Sequence, residues 1–155
     1  MSTEPKLQDL YRQTVLEHSR NPRHFCRMDS PDRSAEGHNP LCGDKITVYL
    51  RLDRDHVSEL SYEASGCAIS MASASIMSEQ VPGLDIDQAG ARADAVLQAF
   101  DREAPPPGSE ELGDMAALSG VRAYPSRIRC ALLPWRTLRA ALAQETNTVT
   151  TESEH

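Results

Sequence analysis

Only one part of this chain alternates apolar and polar residues with the period of two that is typical of a half-buried β-strand. Residues 46–53 follow this pattern, and residues 57–64 repeat it after a short polar turn. Two strands joined by so short a connection predict an antiparallel hairpin. An edge strand is expected near residues 34–38. Because no strand signal follows residue 64, the sheet must be small, and the rest of the chain has to cover it.

The sequence on both sides of the hairpin has helical periodicity. Apolar or small residues at helical spacing predict helices over 6–19, 68–77, 85–100, 112–118 and 125–143. Pro134 lies inside the last of these and removes a backbone donor, which predicts a kink or a two-piece helix. The expected fold class is therefore α+β, with a small antiparallel sheet of about three strands packed against helices.

Length and charge limit the kind of protein this can be. The 155 residues suffice for one domain, expected over 1–143, and the polar segment 144–155 predicts a disordered tail. The 16 basic and 23 acidic side chains give a net charge of −7, which argues against nucleic-acid binding, because that depends on clustered Lys and Arg. No apolar run approaches the roughly 20 residues of a membrane span. The N-terminus lacks the pattern of a secretion signal, so we expect a soluble, cytoplasmic protein.

Four cysteines, Cys26, Cys42, Cys67 and Cys130, are spread along the chain. In a reducing cytosol they are expected to be thiols rather than two disulfides. Free cysteines in such a protein are core residues, metal ligands or reactive groups.

Cys42 and Asp44 stand two positions apart where the first strong strand begins. Side chains two apart on a strand share a face, so this spacing predicts that the thiol and the carboxylate project together. Gly43 between them leaves room for another group to come close.

Cys67 and Cys130 occupy positions that favour an ionised thiol. Cys67 follows a glycine at the start of a helix, where free N–H groups and the positive end of the dipole stabilise a thiolate. Cys130 directly follows Arg129 and lies three residues after Arg127, and the positive charges of these side chains act in the same direction.

Three thiols and one carboxylate are a donor set that zinc accepts in a tetrahedral site. Their spacing is not the paired CxxC pattern of a zinc finger, however. In the competing interpretation, Cys67 and Cys130 are buried core residues and Asp44 is an ordinary turn residue. Spacing alone leaves this choice open.

Three cysteine segments also carry a family resemblance. In chain order they are Asn39-Pro40-Leu41-Cys42-Gly43-Asp44, Ser65-Gly66-Cys67-Ala68-Ile69-Ser70-Met71-Ala72-Ser73-Ala74-Ser75 and Arg127-Ile128-Arg129-Cys130-Ala131-Leu132. They resemble the cysteine segments of the U-type iron–sulfur cluster assembly proteins, the IscU/NifU N-terminal-like family. Asn21-Pro22-Arg23 is similar to the end of that family's first helix, and the resemblance extends over residues 7–142.

Three departures from the scaffold branch of this family point to its SufU type. IscU-like scaffolds carry a cluster-ligating histidine just before the third cysteine. Here Arg129 takes that position, and its guanidinium stays protonated and cannot ligate a metal. The insertion around residues 105–118 is similar to that of SufU proteins. Residues 123–127 replace the Leu-Pro-Pro-Val-Lys motif of the scaffolds.

The resemblance implies a zinc-dependent sulfurtransferase of iron–sulfur cluster biogenesis, with Cys42, Asp44, Cys67 and Cys130 as zinc ligands. Cys42 would be the catalytic residue, accepting persulfide sulfur from a SufS-type cysteine desulfurase for transfer to downstream assembly proteins. A desulfurase histidine would displace Cys42 from the zinc. One alternative is a scaffold that assembles and delivers a [2Fe–2S] cluster on the same residues. Another is a structural zinc module that only docks partners.

The remaining candidates receive plainer interpretations. Cys26 is expected to be a bystander thiol, and His18 to pack or cap the first helix rather than to bind a metal. His38 lies close enough in sequence to Cys42 for a supporting role, which we do not favour. Either Arg127 or Arg129 could help to hold an incoming sulfur anion.

Overall fold

In the described residues, the element order is one helix, three strands, four α-helices with a 3₁₀ helix between the last two, and a short final strand. The computed structural model describes residues 4–40, 43–101, 112–144 and 149–150. Its elements are α1 (Glu4–Arg20), β1 (Arg33–Asn39), β2 (Asp44–Asp53), β3 (His56–Ser65), α2 (Ala68–Gln80), α3 (Ile86–Ala99), α4 (Asp114–Leu118), a 3₁₀ helix (Ser119–Ala123), α5 (Pro125–Ala143) and β4 (Val149–Thr150). A small antiparallel sheet and five α-helices in the described residues confirm the predicted α+β class.

The sheet has the strand order β3-β2-β1-β4. The hairpin β2–β3 is antiparallel, and β1 pairs antiparallel with β2, so all three predicted strands are present. The two residues of β4 add to the other side of β1 in parallel. This short strand lies within the segment predicted to be a tail. Residues 145–148 and 151–155 are outside the described ranges, so the prediction for that segment stays a prediction.

One face of the sheet is buried against helix α5. Ile46, Val48 and Leu50 of β2 point into the core and are almost fully buried. Helix α5 packs across β1 and β2. At Gly37 the two elements are so close that a Cβ atom would lie 2.0 Å from the hydroxyl oxygen of Thr137. Glycine is therefore required at this position for α5 to lie directly on β1.

Helix α2 is buried on most of its surface. Its alanine, serine and methionine side chains let it contact α1, α4, α5 and β3 together. The hydroxyl of Ser73 donates a hydrogen bond to the carbonyl of Ala131 in α5. This close contact brings the start of α2 and the first turns of α5 to the same end of the molecule.

Helix α5 continues without interruption through Pro134, so the two-piece alternative was wrong. The φ of proline is compatible with a helix, and the buried neighbours Leu133 and Trp135 anchor the helix on both sides of it. None of the described helices has the combination of length and apolar character that crossing a membrane would require.

Candidate metal centre

Asp44, Cys67 and Cys130 come together although they are far apart in sequence. One donor atom of each lies within 4.8 Å of the others. The carboxylate of Asp44 is fully buried, Cys130 is 1% exposed, and Cys67 is half-buried. Cys42, the fourth predicted ligand, lies outside the described residues. Cys26 is exposed and is not part of this group.

The carboxylate of Asp44 is held by the backbone that leads into α2. The N–H of Cys67 donates to Asp44 Oδ1 at 2.9 Å. A Cβ atom at Gly66 would lie only 2.2 Å from the same oxygen. Any side chain at position 66 would therefore displace the carboxylate or the backbone.

The thiol of Cys67 is poised to ionise. Its pKa is lowered from 9.0 to about 6, chiefly because a hydrogen bond with Cys130 stabilises the thiolate. The backbone N–H groups of Ser70 and Ile69, at the start of α2, lower it further, whereas burial and the charge of Asp44 raise it. The helix-start effect expected from the sequence is present, but the neighbouring thiol contributes more.

Asn39 is a residue of this centre that the sequence analysis missed. It is the last residue of β1, is fully buried and pairs with Asp44 across the β1–β2 ladder. Its side-chain Nδ2 donates to Asp44 Oδ2 at 3.4 Å and to Cys130 Sγ at 3.6 Å. Asn39 is close to Asp44 in the sequence, but its role can be recognised only when the register of β1 against β2 is known.

The three described donors fit three corners of a tetrahedral zinc site. Zinc–sulfur and zinc–oxygen bonds of about 2.3 and 2.1 Å imply donor separations of about 3.6 Å. Asp44 Oδ2 and Cys67 Sγ are 4.0 Å apart, so a small contraction would close this edge. Two sulfurs and one carboxylate oxygen could thus hold a zinc ion with a fourth ligand from elsewhere.

Cys42 lies outside the described residues, so the prediction that its thiol projects together with the Asp44 carboxylate stays a prediction. Strand β2 begins at Asp44. Gly43 lies in the turn with φ +71°, a conformation that favours glycine. No described atom would lie within 4 Å of a Cβ at Gly43. Gly43 thus provides the turn conformation, and the described residues leave open space beside it.

Arg127 and Arg129 are both exposed. The guanidinium of Arg127 lies over the ring of Tyr124, at 5.4 Å from its centroid. That one of these arginines holds a sulfur anion stays a prediction.

A second group of possible donors surrounds His18, which is 2% exposed. Its Nδ1 is 2.7 Å from the hydroxyl of Ser75, and its Nε2 is 3.3 Å from a carboxylate oxygen of Asp114. Glu79, the third member of the group, lies 3.9 Å from the guanidinium of Arg23. These contacts join α1, α2 and α4, which agrees with the interpretation of His18 as a packed residue.

Comparisons with known proteins agree with this architecture. Residues 10–131 match the family described as NifU-like N terminal domain. The chain is 37% identical over 148 residues to the zinc-dependent sulfurtransferase SufU of Bacillus subtilis, covering 94% of this chain and 97% of that protein. It is 34% identical to the iron–sulfur cluster assembly scaffold protein IscU of Streptococcus pyogenes, over 92% and 88% of the two chains. The crystal structure of a NifU-like protein (N-terminal) from Brucella abortus superposes with a TM-score of 0.79 at 30% identity, covering 88% of this chain and 94% of that one. The chain therefore belongs to the NifU-like N-terminal domain family.

Proposed function

We propose that this protein acts in iron–sulfur cluster assembly as a zinc-dependent sulfurtransferase. It accepts persulfide sulfur from a SufS-type cysteine desulfurase on Cys42 and passes it to downstream assembly proteins. The observation that carries the proposal is the convergence of Asp44, Cys67 and Cys130, and Asp44 stands two positions after Cys42 in the sequence. The similarity to the SufU sulfurtransferase of Bacillus subtilis, over 94% of this chain, supports the same function.

In this proposal Cys42 completes the set of zinc ligands formed by Asp44, Cys67 and Cys130. Bound zinc keeps its thiolate ligands deprotonated at neutral pH and has no redox chemistry that could oxidise a persulfide. The chain supplies the rest of the site. The N–H of Cys67 orients the carboxylate, and the start of α2 stabilises the negative sulfur of Cys67.

The transfer step is a thiol–disulfide exchange. The thiolate of Cys42 attacks the outer sulfur of the desulfurase persulfide and forms a new S–S bond. The S–S bond of the donor breaks, and its electron pair leaves on the donor cysteine as a thiolate. No external oxidant is needed. Asp44 and Cys130 are buried, so neither can reach a docked donor.

A second candidate function is a scaffold that builds and delivers a [2Fe–2S] cluster. The similarity to the IscU scaffold of Streptococcus pyogenes favours it, and thiolates are the usual ligands of such clusters. Arg129 counts against it, because this exposed, permanently protonated side chain cannot act as a ligand.

Native mass spectrometry of protein purified without oxygen separates the two functions. A sulfurtransferase is expected to carry one zinc and no acid-labile sulfide, and to gain sulfur at Cys42 on incubation with desulfurase and cysteine. Cys42→Ser should gain none, whereas Cys26→Ser, which removes an exposed thiol outside the centre, should behave as the parent protein. Iron and sulfide that survive purification in equal amounts would overturn the proposal in favour of the scaffold.

A further inference from the structure

Asn39 occupies an unusual position for an amide side chain. It is fully buried at the end of β1, directly opposite Asp44 in the ladder. Burial of an amide is unfavourable unless its polar atoms are hydrogen-bonded. Its Nδ2 donates to two donor atoms of the metal centre.

The geometry lets one nitrogen serve both partners. An amide NH₂ group carries two N–H bonds that diverge. One is directed to Asp44 Oδ2 at 3.4 Å and the other to Cys130 Sγ at 3.6 Å. These acceptors belong to β2 and α5, so the amide connects the sheet side of the centre to its helix side.

The contact with Asp44 determines the orientation of its carboxylate. Oδ1 accepts from the N–H of Cys67 and Oδ2 from Asn39, so the group is held from two directions. A carboxylate oxygen has two lone pairs, and Oδ2 therefore keeps one for a metal. Hydrogen bonds that orient a ligand in this way are a general determinant of metal affinity.

The contact with Cys130 acts on the sulfur itself. A hydrogen bond from an N–H group to a thiolate withdraws negative charge from the sulfur and makes it a weaker nucleophile. Cys130 is also 1% exposed, so solvent and partner molecules do not reach it. Both properties suit a ligand that stays on the metal while another ligand exchanges.

We infer that Asn39 is a positioning residue that fixes Asp44 and Cys130 as the stationary ligands of the metal centre. The inference deepens the proposed function and rests on its claim that these residues bind a metal. A neutral donor is suited to this position, since an acidic side chain would repel Asp44 and a basic one would compete with the metal for the negatively charged ligands.

Asn39→Leu tests the inference, because leucine has a similar size and no hydrogen-bonding group. The matched control is Thr137→Val, which removes one buried hydrogen bond from α5, to the carbonyl of Leu133. Zinc affinity is measured by competition with a chromophoric chelator, and the geometry of the centre by the absorption spectrum of the cobalt-substituted protein. We expect Asn39→Leu to weaken zinc binding by about 10–100-fold and to change the cobalt spectrum. Thr137→Val should change neither.

A merely structural role would lower the melting temperature of the metal-free protein and leave zinc affinity and the cobalt spectrum as in the parent. That result would overturn the inference. If Asn39→Leu does not fold, Asn39→Ser decides, because its shorter hydroxyl cannot span both partners and is expected to weaken zinc binding at least about tenfold. Unchanged affinity together with sulfur uptake at Cys42 would reject this inference alone. Weakened zinc binding in Asn39→Leu, combined with no sulfur uptake by the parent protein, would reject the proposed transfer function alone.

Discussion

Gly66 shows how a single residue can set the chemistry of the centre. Its missing side chain leaves the space that Asp44 Oδ1 occupies, and the next peptide N–H donates to that oxygen. The same backbone places the sulfur of Cys67 at the start of α2. One residue without a side chain thus brings a carboxylate and a thiol into the same small volume.

Gly66→Ala is expected to weaken zinc binding by at least about tenfold, because its Cβ would lie 2.2 Å from Asp44 Oδ1. Chelator competition measures the effect. Gly83→Ala is the control, since Gly83 also has a positive φ, of +97°, but no described atom would lie within 4 Å of its Cβ. The control should lose stability and keep its zinc affinity. Equal losses of affinity in both variants would contradict the role given to Gly66.

The lowered pKa of Cys67 predicts the pH dependence of the metal-free protein. With a folded-state pKa of about 6 and an unfolded value of 9.0, the native state binds fewer protons between these values. Stability should therefore rise as the pH increases from 6 to 9, and this contribution is lost as the pH falls through 6. The rate of Cys67 alkylation should rise through the same folded-state pKa.

Peptide mapping after a short treatment with iodoacetamide at each pH measures this alkylation. Cys130→Ser changes the hydrogen bond that lowers the Cys67 pKa most, so the midpoint of alkylation should move to higher pH. A midpoint near 9 in the parent protein would show that the thiolate is not stabilised.

At the scale of elements, the close contact of α2 with α5 aligns Cys67 with Cys130. Small side chains allow this contact, and Ser73 donates to the carbonyl of Ala131, the residue after Cys130. The distance between the two sulfurs therefore depends on packing several residues away from them.

Ser73→Leu is expected to push α2 and α5 apart, destabilising the metal-free protein by about 1–3 kcal/mol and weakening zinc binding as well. Ser73→Ala removes the hydrogen bond without adding volume and should cost only about 1 kcal/mol. Urea unfolding and chelator competition measure the two effects. If both variants bound zinc as tightly as the parent protein, the spacing of the helices would not control the centre.

The elements could be predicted from the sequence wherever the hydrophobic period was strong. The β2–β3 hairpin and the long helices followed from it. Strand β1 gave a weak signal, because its inward positions carry Ala35, Gly37 and Asn39 rather than large apolar residues. The length of α5 could not be read through Pro134, since buried neighbours decide whether a helix continues past a proline.

The centre was less accessible to sequence reasoning than the fold. The gathering of Asp44, Cys67 and Cys130 depends on how α2 and α5 pack, which no spacing along the chain encodes. It was expected only through the family resemblance. Asn39 was missed because its role depends on lying opposite Asp44 in the ladder.

At the scale of the whole molecule, the centre joins the sheet to the helices. Its described donors come from the start of β2, from the residue before α2 and from α5. A metal bound to all of them would therefore strengthen the connection between parts of the fold that already meet through the core and through hydrogen bonds such as those of Asn39.

Removing zinc is consequently expected to lower the melting temperature without unfolding the protein, since the hydrophobic core contains many residues far from the centre. Free zinc at about 100 times its dissociation constant contributes about 2.7 kcal/mol, which corresponds to roughly 5–10 °C for a domain of this size. Thermal unfolding with and without a chelator measures this shift. Identical melting temperatures would mean that no metal binds the folded state preferentially.

The order of the elements along the chain, with α5 after β1 to β3 and α2, also has a consequence for biosynthesis. A nascent chain that has emerged from the ribosome only as far as α3 contains β1 to β3 and α2 but lacks Cys130. A metal ion that meets such a chain finds an incomplete set of ligands and can dissociate again. Stable metal loading must therefore wait until α5 has been synthesised and has docked on the sheet.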